Sequence, residues 1–184
     1  MLEHTGVGNA EGLAAKNRAA FDGLKVDAVI ANSSGCGLTL RHQLKTPVRD
    51  ISGFLAEIGV RQGKGVAADH VYVDLPCHLI HGQKEALPES IINAIGTPWS
   101  LAPMAADCCG SGGVYNLVKP ENAREILRKK SAFLDDSPYK RVTLATANHV
   151  CMMQWNSARS QGLVNRDFRV AHIVQLLDES LSEA

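Results

Sequence analysis

Apolar positions along this chain recur in two rhythms, a helical one and one of short unbroken runs, and the two alternate from end to end. Residues 10–24, AEGLAAKNRAAFDGL, place Leu13, Ala20, Phe21 and Leu24 close to helical period, which predicts a helix packed by one face. VDAVIAN (26–32) is a β-branched run that predicts a strand, and the SSGCG after it reads as a turn with Cys36 in the loop. DISGFLAEIG (50–59) predicts a helix with Ile51, Phe54, Leu55 and Ile58 inward and Gly59 as its stop. HVYVDL (70–75) predicts a second strand, broken by Pro76-Cys77-His78. PESIINAIG (88–96) opens with proline at a favourable first helical position and closes on glycine, and WSLAPM is a short extended segment beyond it. PENAREILRKKSAFLDD (120–136) is the clearest helix, with Ala123, Ile126, Leu127, Phe133 and Leu134 as its buried stripe. Strand RVTLATA (141–147), loop NHV, a helix through MMQWNSARSQG and a last helix HIVQLLDESL (172–181) complete the pass.

Strands alternating with helices predict an α/β fold, with parallel sheet flanked by helices. The chain also resembles itself. VIANSSGCG followed by DISGFLAE matches LATANHVCMM followed by HIVQLLDE, each a strand, an asparagine, a cysteine and then a helix of pattern x-I-x-x-(F/L)-L-x-E. Cys36 and Cys151 thereby become equivalent positions of a duplicated unit. Only the second copy has a cysteine pair upstream, so residues 63–184 read as one complete repeat and residues 1–62 as the second half of a preceding one.

Composition narrows the function classes. With 184 residues, 45% of them apolar, the chain can bury one substantial core or two small lobes. Basic and acidic residues balance at 19 each, which leaves no long-range positive field for a nucleic acid backbone or an anionic bilayer. No apolar run approaches the ~20 residues of a transmembrane segment. The amino-terminal MLEHTGVGNAEGLAAKN lacks the basic-then-apolar order of a secretion signal, so a cytoplasmic address is expected.

Five cysteines, an odd number without an export signal, point to thiolate or metal chemistry rather than a disulfide scaffold. Cys36, Cys77 and Cys151 each follow a predicted strand, and the adjacent Cys108-Cys109 follows an extended segment. Sites in open α/β sheets form at the carboxyl ends of strands, so all five thiols can reach one edge. Thiolates select iron-sulfur clusters, zinc or copper(I), and Gly110, Gly112 and Gly113 let the backbone approach such a group and donate N–H bonds to it. The bland alternatives have their own grounds. A single cysteine such as Cys36 is more often a small buried hydrophobe than a ligand. Zinc is conceivable with His78, His81 and His149 near the cysteines, and HLIH would set two imidazoles on one helix face. A phosphate loop at Gly110–Gly113 lacks the Gly-Lys-Ser/Thr that should follow. A Cys77-His78 nucleophile pair has no third group, and chain neighbours seldom face each other.

DLPCHLIHGQ, ADCCGSGGVYNLVKPE, ANHVCMMQ and VAHIVQLLDE together resemble the cysteine-rich CCG domain found in heterodisulfide reductase, in lactate-utilisation proteins and, most closely, in the glycolate oxidase iron-sulfur subunit. The resemblance runs from the first helix to the last. It implies that Cys77, Cys108, Cys109 and Cys151 ligate one iron-sulfur cluster, of 4Fe-4S type, and that Cys36 closes the preceding motif. It further implies an electron-transfer component that serves flavin-containing subunits oxidising glycolate or lactate, peripheral to the inner membrane through partners. Family members of this type also carry a ferredoxin-like domain and a full first repeat, so this chain is expected either to be a fragment of such a protein or to rely on a further chain that supplies both. No ferredoxin-type cysteine run is present here, and Gln154 stands where the heterodisulfide reductase type has a second cysteine. A truncated docking or zinc-stabilised module and a thiol-disulfide redox protein are the competing expectations.

Overall fold

A computed structural model describes residues 10–182. Most of the reading of the amino-terminal segment concerns residues 1–9, which lie outside that range. In chain order the elements are α1 (Ala10–Phe21), β1 (Val29–Ala31), α2 (Ser34–Gln43), β2 (Val48–Asp50), α3 (Ile51–Ile58) and β3 (His70–Val73). A π-helical turn (His78–Gln83), α4 (Glu89–Ala94), β4 (Trp99–Leu101), α5 (Tyr115–Val118) and α6 (Pro120–Ser131) follow. A 3-10 turn (Ala132–Leu134) leads to β5 (Val142–Thr146), α7 (His149–Ser160), β6 (Arg169–His172) and α8 (Ile173–Leu181). The α/β architecture expected from the alternation is the one found.

All strand pairings are parallel. β1 and β2 form one small sheet, and β4-β3-β5-β6 form the other. Every residue of β5 is buried, which explains its unbroken apolar run, since a central parallel strand is covered on both faces. One face carries Val71, Val73, Ile91, Ile95, Ile173 and Leu176, brought by α4 and α8. The other carries Leu127, Leu134, Leu144, Trp155 and Ala158, brought by α6, α7 and the 3-10 turn.

The likeness of the two segments has a counterpart in element order. β1-α2-β2-α3 repeats the order of β5-α7-β6-α8, and Ala31 opposite Asp50 corresponds to Thr146 opposite His172. Each last strand residue then caps the next helix: Asp50 accepts from the Ser52 amide at 3.0 Å, and His172 Nδ1 accepts from the Val174 amide at 3.2 Å. The copies meet at equivalent positions. With Cys36 aligned on Cys151, Ser33 matches Asn148, and Ser33 Oγ donates to Asn148 Oδ1 at 2.9 Å. Ser34 adds bonds from its hydroxyl and amide to the Ala147 carbonyl at 2.9 and 3.3 Å.

Several local expectations are corrected. SSGCG is not a turn: it begins α2, so Cys36 sits in a first helical turn. Two glycines argued against helix, but a Cβ at Gly37 would lie 3.2 Å from Gln83 Nε2 and 3.3 Å from the Ala31 side chain, so close packing demands glycine there. Ile58, Leu13, Ala20 and Leu24 are exposed, and α1 buries Ala14 instead. β2 and β6 had no counterpart in the sequence reading.

Candidate thiolate site

The crossovers of a parallel sheet return every strand in the same direction, so the loops after β3, β4 and β5 open at one edge. The first carries Cys77, the second Cys108 and Cys109, and the third leads into α7 with Cys151. Cys36, in the first turn of α2, approaches from the other copy. All five cysteines line a single cavity of about 460 Å³ between the copies, with Ser33, His78, Gly112, Gly113 and Asn148 on its wall. Cys109 and Cys151 are buried, Cys77 is half-buried, and Cys36 and Cys108 are exposed to the cavity side.

The thiols of Cys77, Cys108, Cys109 and Cys151 act on one another's protonation along the cavity wall. Cys108 is held well below the usual thiol range by bonds from Cys109 and Cys77, helped by the Gly110 and Gly112 amides. Gly110 N–H lies 3.4 Å from Cys108 Sγ. Cys77 and Cys109 are pushed up because each faces the Cys108 thiolate, Cys109 also facing Cys151. Cys151 is lowered by Cys109 and, against the cost of burial, by the Asn148 side-chain amide, whose Nδ2 lies 3.3 Å away. The array therefore favours anionic sulfur at Cys108 and Cys151 and is supplied with N–H donors.

Glycine makes this turn possible. Gly110 sits at φ +88°, and a Cβ there would lie 2.9 Å from the Ala123 carbonyl and 3.2 Å from Ile126, so the loop rests directly on α6. Behind it, the fully buried Lys130 ammonium is 2.7 Å from Asp74 Oδ1, an ion pair outside directed hydrogen-bond geometry. Asp74 Oδ2 accepts from Trp155 Nε1 at 2.9 Å.

The predicted residues thus come together, Gly110 as a donor to Cys108 and Gly112 and Gly113 on the wall. The histidines do not join them as a set. His81 is exposed and within 3.4 Å of the Ala106 carbonyl, and His149 stacks on His172 at 5.2 Å. His78 does turn toward its neighbour, Nδ1 lying 3.8 Å from Cys77 Sγ, because the π-helical turn folds the pair inward. Among the described residues, no group of three or more His, Cys, Asp or Glu side chains converges as on a single ion. The thiols instead line the wall of a cavity, the shape that suits a larger, soft, anionic group with several sulfur ligands. Asp74 and Lys130 were not singled out from the sequence.

Comparison with known proteins gives the family. The family model described as a cysteine-rich domain, CCG, matches residues 3–41 and 71–156. The chain is 31% identical to a probable glycolate oxidase iron-sulfur subunit of Bacillus subtilis, over 96% of this chain and 44% of that protein. It is 35% identical to a subunit of the fumarate reductase (CoM/CoB) of Methanothermobacter marburgensis, over 94% of this chain and 36% of the relative. Lactate utilization protein A of Oceanobacillus iheyensis is 28% identical over 70% of this chain and 52% of its own length. The chain therefore spans only part of the length of each of these relatives.

Proposed function

Because the chain belongs to the cysteine-rich CCG domain family, we propose that Cys77, Cys108, Cys109 and Cys151 hold one iron-sulfur cluster, of 4Fe-4S type, in an electron-transfer component of an oxidoreductase complex. The observation that carries this is the convergence of four thiols, from two separate loops and the first turn of α7, on one cavity furnished with backbone donors. When bound, the cluster supplies one-electron transfer, and the protein performs no bond chemistry of its own. Cys108 and Cys151 bind as the thiolates their hydrogen bonds already favour. Gly110 and Gly112 amides and the Asn148 side chain stabilise negative charge on sulfur, and Gly113 forms part of the wall.

The names of the relatives support glycolate or lactate as the substrate class, and the family resemblance implies a flavin-containing oxidase subunit as the electron source. Among the described residues, no helix is long and apolar enough to cross a membrane. In this reading residues 63–184 are a complete cluster-binding repeat, and residues 1–62 are the second half of another. β1 is paired on one edge only among the described residues, whereas its counterpart β5 also pairs with β3. That edge is where the opening half of the first repeat, supplied with the ferredoxin-like part by a partner segment, would add its strand. Cys36 then closes the first motif's site across the cavity.

Anaerobic reconstitution with iron and sulfide tests the reading. About four irons and equivalent acid-labile sulfide per chain are expected, with charge-transfer absorbance lost in Cys109→Ser. Fewer than about two irons, or zinc without sulfide, would overturn it in favour of a docking or zinc-stabilised module.

A further inference from the structure

The buried lysine behind the cysteine pair has a role that packing alone does not explain. Lys130 lies on the same face of α6 as Ala123, Ile126 and Leu127, where a lysine is out of place, and its side chain is 0% exposed. Its ammonium donates to the Met104 carbonyl at 2.9 Å and to the Asp107 carbonyl, the residue just before Cys108. The Met104 carbonyl also accepts the Asp107 amide at 3.0 Å, closing a turn in which Met104 takes φ +56°, an unfavourable conformation for a side-chain-bearing residue. One lysine therefore fastens both ends of the 104–107 turn that delivers Cys108 and Cys109.

Its counter-charge is placed as deliberately. Asp74 follows β3 and precedes Cys77 by three residues, its amide held by the Ala145 carbonyl at 2.8 Å and its second oxygen by Trp155. The pair, 2.7 Å apart and shut off from water, lies against the two loops that carry Cys77 and Cys108-Cys109. Charges in such a place are little screened and act on any electron-accepting centre nearby.

We propose that Lys130 is a positioning and potential-setting residue of the thiolate cavity: it fastens the 104–107 turn beneath Cys108-Cys109, while Asp74 opposes its charge. This rests on the cluster reading above. Removing the negative partner stabilises the reduced, more negative form of a bound centre, so Asp74→Asn should raise its midpoint potential. Asparagine keeps a side-chain oxygen for Trp155 and leaves the two lysine–carbonyl bonds in place.

The test uses the full chain, reconstituted with iron and sulfide, as wild type, Asp74→Asn and Asp74→Asn/Lys130→Met. The double variant replaces the ion pair by neutral groups of similar size, a change that buried pairs often tolerate. We expect it to melt cooperatively, to lose iron to a chelator about 10–100-fold more readily than wild type, and, before reconstitution, to exchange the amides of residues 105–110 faster. Asp74→Asn should retain iron and titrate at a higher potential. Wild-type iron retention and potential in the double variant, an unchanged or lowered potential in Asp74→Asn, or a double variant that does not fold would each overturn the proposal, the last by making the pair a requirement of the core. If wild-type protein takes up no iron, the cluster reading fails instead. The amide exchange of the unloaded chain then still decides whether Lys130 fastens the turn.

Discussion

Gly110 concentrates the demands of the cysteine pair in one residue. Its positive φ turns the chain immediately after Cys109, and its bare Cα lets the loop rest on the Ala123 carbonyl. Gly110→Ala would add a Cβ into that carbonyl in a left-handed conformation, at a cost of about 1–3 kcal/mol. The expected result is a denaturation midpoint lowered accordingly, with weaker iron retention, and an unchanged midpoint would contradict the geometry. At this scale the site was largely legible, because cysteine and glycine advertise their chemistry by type. Asp74 and Lys130 were hidden because charged residues in a sequence read as solvated, and only the fold reveals that these two are shut away together. Gln154, marked from the family pattern as a replaced cysteine, is buried and accepts from Asn116 at 3.2 Å, so its place is occupied by a neutral polar contact.

Among the elements, the strand-to-helix junctions do most of the organising. α3 and α8 start from equivalent caps, but one cap is a carboxylate and the other an imidazole. His172 is lowered below its ordinary value of 6.5 by burial first and then by His149, while Asp50 and the Ala147 and Asn32 backbones pull the other way. A neutral His172 suits the cap, since Nδ1 must accept the Val174 amide. With the folded value below the unfolded one, the unfolded chain binds more protons between the two. This contribution is therefore complete above about pH 6.5 and is lost as pH falls toward the folded value, at a slope of at most about 1.4 kcal/mol per pH unit. Urea unfolding measured across that window should show the decline, and His172→Asn, which caps without titrating, should flatten it. An unchanged slope in the variant would assign the pH dependence elsewhere. Long periodic elements such as α6 and the fully apolar β5 were readable in advance. α2 was not, since its Gly37 serves packing against Gln83 and Ala31, and β2 (Val48–Asp50) and β6 (Arg169–His172) mix charged and polar side chains with apolar ones, so neither reads as an apolar run.

For the molecule as a whole, the two copies are unequal in what holds them together. With residues 63–184 taken as the complete copy and residues 1–62 as the half copy, as proposed above, the described part of the former has four paired strands with both faces covered, whereas that of the latter has two strands of three residues each, an arrangement that is marginal without support. That support comes from the other copy: Ser33 on Asn148, Ser34 on the Ala147 carbonyl, Gln83 Nε2 on the Ser34 carbonyl at 2.7 Å, and Arg41 paired with Glu85. The likeness between the two segments was legible in the sequence, but the meeting of matched residues was not, because a repeated pattern describes each segment and says nothing of the axis between them. The consequence is a hierarchy of opening. Amides of β1, α2 and β2 should exchange faster than those of β5, through an opening that uncovers the cavity on the Cys36 side while the four thiols of the complete copy stay in place. Asn148→Ala removes a bond across the axis and should speed exchange in the half copy more than in β5, whereas equal protection of both copies would show that they open as one unit. A group bound by Cys77, Cys108, Cys109 and Cys151 would then protect the complete copy first, and the half copy only as far as Cys36 also touches it.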